Sequence, residues 1–215
     1  MPHHHPDDAL LIEYAGGSLG EAKALLVATH LALCPLCRSG VSAAEIAGAA
    51  MAFDAIEPAE VGTAPNLAAV ERQAPPSELG RLANVPQPLR GYLGAPVSEL
   101  PWETLLSGMR AYTLPAFVNR SSVRLLAIEP GRRMPRHTHE GLELTLVLQG
   151  SFVDGSGVFA KGDVATADAS IDHQPQAGGE ELCLCLAVED APLKLTGLSG
   201  TLFNLASAAG QLFKR

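Results

Sequence analysis

Residues 131–150 read GRRMPRHTHEGLELTLVLQG. Stripped to its spacing, the stretch is Gly131-x5-His137-x-His139-x3-Glu143-x6-Gly150. Alternate residues of a β-strand share a face. Positions 137, 139 and 143 have one parity, so an extended chain would turn both imidazoles and the carboxylate into the interior of one barrel. His173 would join them from a neighbouring strand after a turn at Lys161-Gly162-Asp163. The expected ligands are therefore His137, His139, Glu143 and His173. Such nitrogen and oxygen donors suit Zn, Fe, Mn, Ni or Cu, and the sequence does not choose among them. Two exposed histidines on an edge strand are the simpler alternative. That alternative leaves Glu143, the flanking glycines and His173 unexplained.

Around this stretch, from Leu89 onward, the chain breaks into short β-branched and apolar runs separated by turns. Examples are Val123 to Ile128, Glu143 to Leu148 and Leu182 to Val188. The last run is apolar on both faces, so both faces should be buried. Its Cys183 and Cys185 read as core thiols, and as oxidisable sensors should they lie beside a barrel metal. Trp102 reads as core.

At the other end of the chain stands His30-x3-Cys34-x2-Cys37, preceded by His3, His4 and His5. All seven histidines belong to one of the two groups. Asp7 and Asp8 suit the start of a helix that Gly16 and Gly17 stop. Ser18 and Glu21 have capping-box spacing for a second helix reaching about Leu33. Pro35 ends that helix and opens a third, which continues through Ala50. His30, Cys34 and Cys37 then straddle a helix–helix junction, with Cys37 in a first turn whose partial positive charge favours a thiolate. Zinc takes four such ligands in closed structural sites. The fourth is expected from the upstream cluster, and His5, nearest the first helix, is the favoured one. A thioredoxin-type redox motif is the competing reading of C-x-x-C, but it needs a preceding strand that cannot be drawn here.

The net charge of −8 argues against direct contact with nucleic acid, which needs clustered Lys and Arg, and suits a basic protein partner. The longest apolar run, Ala24 to Leu33, is too short to span a bilayer, and the opening MPHHHPDD lacks the features of a signal peptide. The expected location is the cytoplasm, where four cysteines favour metal binding or redox sensing over disulfides. Residues from about 54 to 87 are rich in Pro, Ala and Glu and read as a tether, with a short helix over Asn66 to Gln73.

The helical H-x3-C-x2-C pattern resembles the zinc-binding anti-sigma domain, and the stretch from Gly131 to Gly150 matches the first cupin motif. Together, with the phrases DALLIEYAGGSL, THLALCPLC, GLELTLVLQGSF and LCLCLAVEDAPL, they resemble the ChrR-type anti-sigma factors. The resemblance implies an α+β multidomain chain. Residues 1–75 would be a zinc-binding helical bundle, 76–88 a linker, and 89–215 a cupin β-barrel (a double-stranded β-helix). It implies Zn2+ on His5, Cys34, Cys37 and His30, and Zn2+ or another divalent transition metal on the cupin ligands. It also implies a function: inhibiting an extracytoplasmic-function-type sigma factor and releasing it under singlet oxygen or organic hydroperoxide. No catalytic residue is expected, and the free chain is left as monomer or homodimer. Ala167 and Asp168 stand where many cupins have a Pro-x-Gly turn, which argues against ordinary cupin enzymology. A cupin-type oxygenase or isomerase carrying a zinc module is the alternative function. A zinc-finger-like DNA binder is a weaker one. The apolar residues Leu10, Leu11, Tyr14, Leu25, Leu26 and Leu33 are expected to be divided between the core and the partner surface.

Overall fold

The computed structural model describes residues 1–54, 56, 85–118 and 122–196. The expected helix over Asn66 to Gln73, with most of the expected linker, lies outside these residues.

Three helices open the chain: α1 (Asp8–Ala15), α2 (Glu21–Leu33) and α3 (Pro35–Asp54). Asp7 caps α1, its carboxylate accepting from the Leu10 N–H at 2.8 Å. The capping box expected at Ser18 and Glu21 does not form. Gly17, at φ +70°, turns the chain so that the Ser18 N–H and hydroxyl both donate to the Glu13 carbonyl, and Gly20 takes the N-cap of α2. Cys34, before Pro35, is extended at φ −118° and ψ 102°, as a residue preceding proline must be. The chain bends by 119° between α2 and α3, which brings the first turn of α3 back beside the end of α2. No single helix among the described residues is long and apolar enough to cross a membrane.

A short helix, α4 (Gln87–Leu93), leads into twelve strands. β1 (Glu103–Leu106), β2 (Met109–Thr113), β3 (Ser122–Ile128), β11 (Cys183–Glu189), β5 (Glu143–Gln149) and β8 (Val164–Ala167) form one six-stranded sheet, in that order. Facing it are two smaller sheets. One is β10 (Gln176–Ala177), β6 (Ser151–Asp154) and β7 (Gly157–Ala160). The other is β12 (Leu193–Leu195), β4 (His137–His139) and β9 (Asp172–His173). Gly150 joins β5 to β6 at φ +68°. A side chain there would meet the Leu182 carbonyl at 2.7 Å, so the close approach of the two strands requires glycine.

The central strands β3, β11 and β5 of the large sheet are buried on both faces, and their alternation sorts the side chains. Leu126, Val147, Cys183, Cys185 and Ala187 face inward onto Phe152, Phe159 and Ala177 of the small sheet. Leu125, Ala127, Leu144, Leu146, Leu184, Leu186 and Val188 face outward into a second core. That core is closed by Leu10, Ala22, Leu25 and Leu26 of the first two helices and by Leu89 and Leu93 of α4. This explains why the run at Leu182 to Val188 is apolar on both faces: the barrel fills one side and the N-terminal helices cover the other. α1, α2 and α4 form a layer packed on this face of the sheet. At roughly 1.5–3 kcal/mol for each fully buried leucine, Leu25 and Leu26 alone contribute several kcal/mol to that docking.

Of the six apolar residues expected to be divided between core and partner, Leu10, Leu25 and Leu26 are buried in this core, with Leu33 packed against it. Leu11 and Tyr14 pack on a third cluster with Val27, Leu31 and Val41. The apolar side chains left in solvent are different ones. Ile12, Leu36, Ile46, Met51 and Phe53 are each more than 60% exposed, and all but Ile12 lie on α3, whose buried residues are Cys37 and Val41.

Candidate metal centres

The bend between α2 and α3 gathers the first group of donors. Cys34 and Cys37 Sγ lie 3.6 and 3.3 Å from His5 Nδ1, and the ligand atoms of His5, His30, Cys34 and Cys37 all lie within 4.8 Å of one another. His5, and neither His3 nor His4, is the upstream histidine in this set. His30 is wholly buried. Its Nδ1–H donates to the Gly162 carbonyl at 2.8 Å, which leaves Nε2 as the nitrogen with a lone pair. That Nε2 is buried with no hydrogen-bond partner. A buried polar atom of this kind is rare without a reason, and a cation bound to the lone pair supplies one. Burial lowers the His30 pKa and so keeps its ring neutral. Burial, with Cys34 close by, raises the Cys37 thiol to about 12. Two thiols and two imidazoles in one small, largely buried space fit a tetrahedral zinc set, whose binding would expel the thiol protons.

The second group converges differently from the expectation. His137 and His139 lie on β4, but Glu143 opens β5 in another sheet, so common parity along one strand is not what relates them. Between the two strands Gly141 packs closely against Asp190 and Ala191, where a side chain would meet Asp190 Cβ at 2.9 Å. His173 pairs directly across from His137 between β9 and β4. The Nε2 atom of His173 lies 3.0 Å from that of His137 and 3.0 Å from that of His139. Three imidazole nitrogens this close together, all within 4.8 Å of one another, would suit a shared divalent cation.

The outer nitrogens carry the orientation. His137 Nδ1–H donates to the Pro135 carbonyl at 2.8 Å, and His173 Nδ1–H donates to Asp154 at 2.6 Å. His139 Nδ1 faces Glu143 at 3.5 Å. Each ring therefore turns Nε2 toward the centre, the arrangement outer hydrogen bonds impose on metal-binding histidines. Burial and the neighbouring rings lower His139 to about 4, so its own lone pair stays free near neutral pH. Glu143 stands beside this triad, accepting from the Thr145 hydroxyl at 3.0 Å. Burial and the Glu189 carboxylate opposite raise it to about 7. Glu189 itself is buried in an ion pair with Arg124.

A cavity of about 390 Å³ opens beside the triad. His137, Glu143, Asp154 and His173 line one side of it, and Leu126, Ile128, Met134 and Phe152 another. Cys183 and Cys185 are core thiols, with their sulfurs 3.6 Å apart, and they also reach the cavity wall. Sequence reasoning missed Asp154, Gly162 and Asp163 as supports of the donor histidines. Asp154 had one legible signal, its place in the turn Asp154-Gly-Ser-Gly157, where its Oδ1 accepts from the Ser156 N–H. Gly162 and Asp163 were visible only as a turn.

Comparison with known proteins places these features in one lineage. Residues 93–192 match the ChrR cupin-like domain family. Over 195 residues the chain is 41% identical to the anti-sigma-E factor ChrR of Cereibacter sphaeroides, covering 89% of this chain and 91% of that protein. The fold is similar to the crystal structure of Rhodobacter sphaeroides SigE in complex with the anti-sigma ChrR. The TM-score is 0.73 at 39% identity, covering 88% of this chain and 100% of that one.

Proposed function

This chain belongs to the family of ChrR-type anti-sigma factors, and on that footing we propose that it binds and inhibits an extracytoplasmic-function-type sigma factor and lets it go under oxidative stress. The observation that carries the reading is the full-length likeness to a chain solved in a sigma-factor complex. The exposed apolar side chains of α3 support it, because an amphipathic helix left uncovered meets partners through such residues. In this reading residues 1–75 grip the sigma factor, 76–88 link, and 89–215 sense.

His5, His30, Cys34 and Cys37 would hold Zn2+, which stabilises the α2–α3 junction and so shapes the partner surface. His137, His139 and His173, with Glu143 beside them, would hold Zn2+ or another divalent transition metal. Such an ion supplies a Lewis-acidic centre at the cavity floor. The residues around it present small oxidants, singlet oxygen or an organic hydroperoxide, to a partly apolar chamber containing two thiols. The acidic chain, with no membrane-spanning helix among its described residues, would do this in the cytoplasm, without contacting nucleic acid. The cavity next to three histidines favours one other reading, a cupin metallo-enzyme with a regulatory module. A regulator needs no turnover, and none is expected here.

Purified full-length chain should contain about two ions, one for each centre. It should form a stable complex with SigE of Rhodobacter sphaeroides or with the sigma factor of its own host. Cys34→Ala or Cys37→Ala should lose one ion and the inhibition of transcription. His137→Ala with His139→Ala should lose the other ion, keep the complex, and make it insensitive to oxidant. A metal-loaded full chain that captures no sigma factor defeats the proposal.

A further inference from the structure

One short stretch of chain supports both centres. β6 and β7 form a hairpin in the register Ser151↔Ala160 to Asp154↔Gly157, stiffened inside by Phe152 stacked on Phe159 at 4.9 Å. At its tip, Asp154 accepts from His173 Nδ1–H at 2.6 Å. Where the hairpin passes into β8, the Gly162 carbonyl accepts from His30 Nδ1–H at 2.8 Å. Next to it, the buried carboxylate of Asp163 accepts from the His3 and His4 N–H groups at 2.6 and 3.1 Å, and the Val164 N–H donates to the His4 carbonyl at 3.1 Å. These bonds hold the two residues that lead to His5. The His4 ring also packs on Phe159 at 4.4 Å. Space at the turn is tight: Gly162 sits at φ +93°, and a side chain there would meet Pro2 at 2.7 Å.

Outer partners of metal-binding histidines set ring orientation and tautomer, and their loss commonly weakens metal binding ten- to a hundredfold. Here the outer partners of the helical centre are supplied by the barrel. We propose that residues 154–163 are a positioning element shared by the two centres, through which the state of the cupin histidines alters how firmly His30 and His5 hold metal. Asp154 reads the cupin side, and Gly162 and Asp163 set the helical side. The inference rests on the proposed metal-holding role of both centres. It adds the path by which one could answer to the other without the residues between 57 and 84. Linkage then requires the coupling to run in both directions.

The test uses Co2+ in the full chain, because of the two donor groups only the helical one contains cysteines, whose thiolates give sulfur-to-cobalt absorption. Gly162→Ala and Asp163→Ala should weaken Co2+ there about tenfold. Asp163→Asn keeps an acceptor for the His3 and His4 amides, though it loses the one for the Ala160 N–H, and should restore binding to nearer the unmutated chain than Asp163→Ala, within about threefold. Asp154→Ala touches neither thiolate, yet should shift Co2+ affinity at the helical centre about fivefold, and this shift should vanish in the Asp163→Ala background. Additive effects, or no effect of Asp154→Ala, overturn the coupling. Amide exchange supplies a second arm that spares the hairpin. In Cys34→Ala, whose helical centre is broken, Zn2+ added to the cupin centre should slow exchange of the His3 and His4 amides. Unchanged exchange overturns the coupling as well. If the unmutated chain shows no sulfur-to-cobalt bands, it is the metal reading of the helical centre that fails. If the bands appear and the cycle is additive, the coupling alone fails.

Discussion

His30 presents its two ring nitrogens to different halves of the molecule: Nδ1–H to the Gly162 carbonyl and Nε2 to the thiols. A histidine used this way is read from sequence as a ligand but not as a joint. Glu143 shows the same division. Its spacing from His139 and from Thr145 is visible in the sequence, while its neighbour Glu189 comes from strand pairing. Burial and the Glu189 carboxylate raise its pKa to about 7, against the Thr145 hydrogen bond, which lowers it. A carboxyl with a raised folded-state pKa binds its proton more tightly folded than unfolded, so it costs stability as pH rises from about 4.5 through 7. In metal-free protein, Glu143→Gln should remove that loss. Compared with the unmutated chain, the variant should gain about 2–3 kcal/mol between pH 5 and pH 8, measured by urea unfolding. His139, lowered to about 4, acts in the opposite sense below its ordinary value in both chains, so the difference between them isolates Glu143. An unchanged difference across that range would remove the buried-carboxyl argument.

Among the helices, α3 stands apart. α2 buries Ala22, Leu25, Leu26, Val27 and Leu31, whereas α3 buries Cys37 and Val41 near its start and leaves Ile46, Met51 and Phe53 in solvent. The alanine-rich sequence of α3 makes a good helix whether or not a core covers it. Ile46→Asp with Phe53→Asp should therefore shift the melting temperature by little, since neither side chain is packed. The same change should weaken the sigma-factor complex at least tenfold, read by titration calorimetry. Equal affinity for the double variant would move the partner surface elsewhere. α2 should respond in the opposite way: Leu26→Ala, in the middle of the shared core, should cost about 2–5 kcal/mol of stability. Element identities were legible because period, proline and glycine are local signals. The capping box at Ser18 failed because the glycine turn before it offered Ser18 the Glu13 carbonyl instead.

At the scale of the whole molecule, the helices and barrel share one apolar layer, with Lys23–Asp190 and Tyr92–Glu21 contacts at its rim. These exposed polar contacts add little, since surface ion pairs contribute about 0–1 kcal/mol. The leucines dominate. Metal-loaded protein should therefore unfold in a single calorimetric transition, because neither part can leave without exposing the other's core. Two separated transitions would mean that the parts are independent. The sequence by itself determined which His and Cys residues are candidate donors, the helix–break–helix that carries Cys34 and Cys37, the strands, and the family. All of these depend on residue type and on spacing within one element. Only the tertiary structure decided that α1 and α2 roof the barrel, that Glu143 stands beside the histidine triad, and that Gly162 and Asp163 buttress the helical centre. Those contacts join residues more than a hundred positions apart, or on different sheets. Their partners are chosen by which apolar faces need covering and which buried polar atoms need a mate, and no local pattern records that choice.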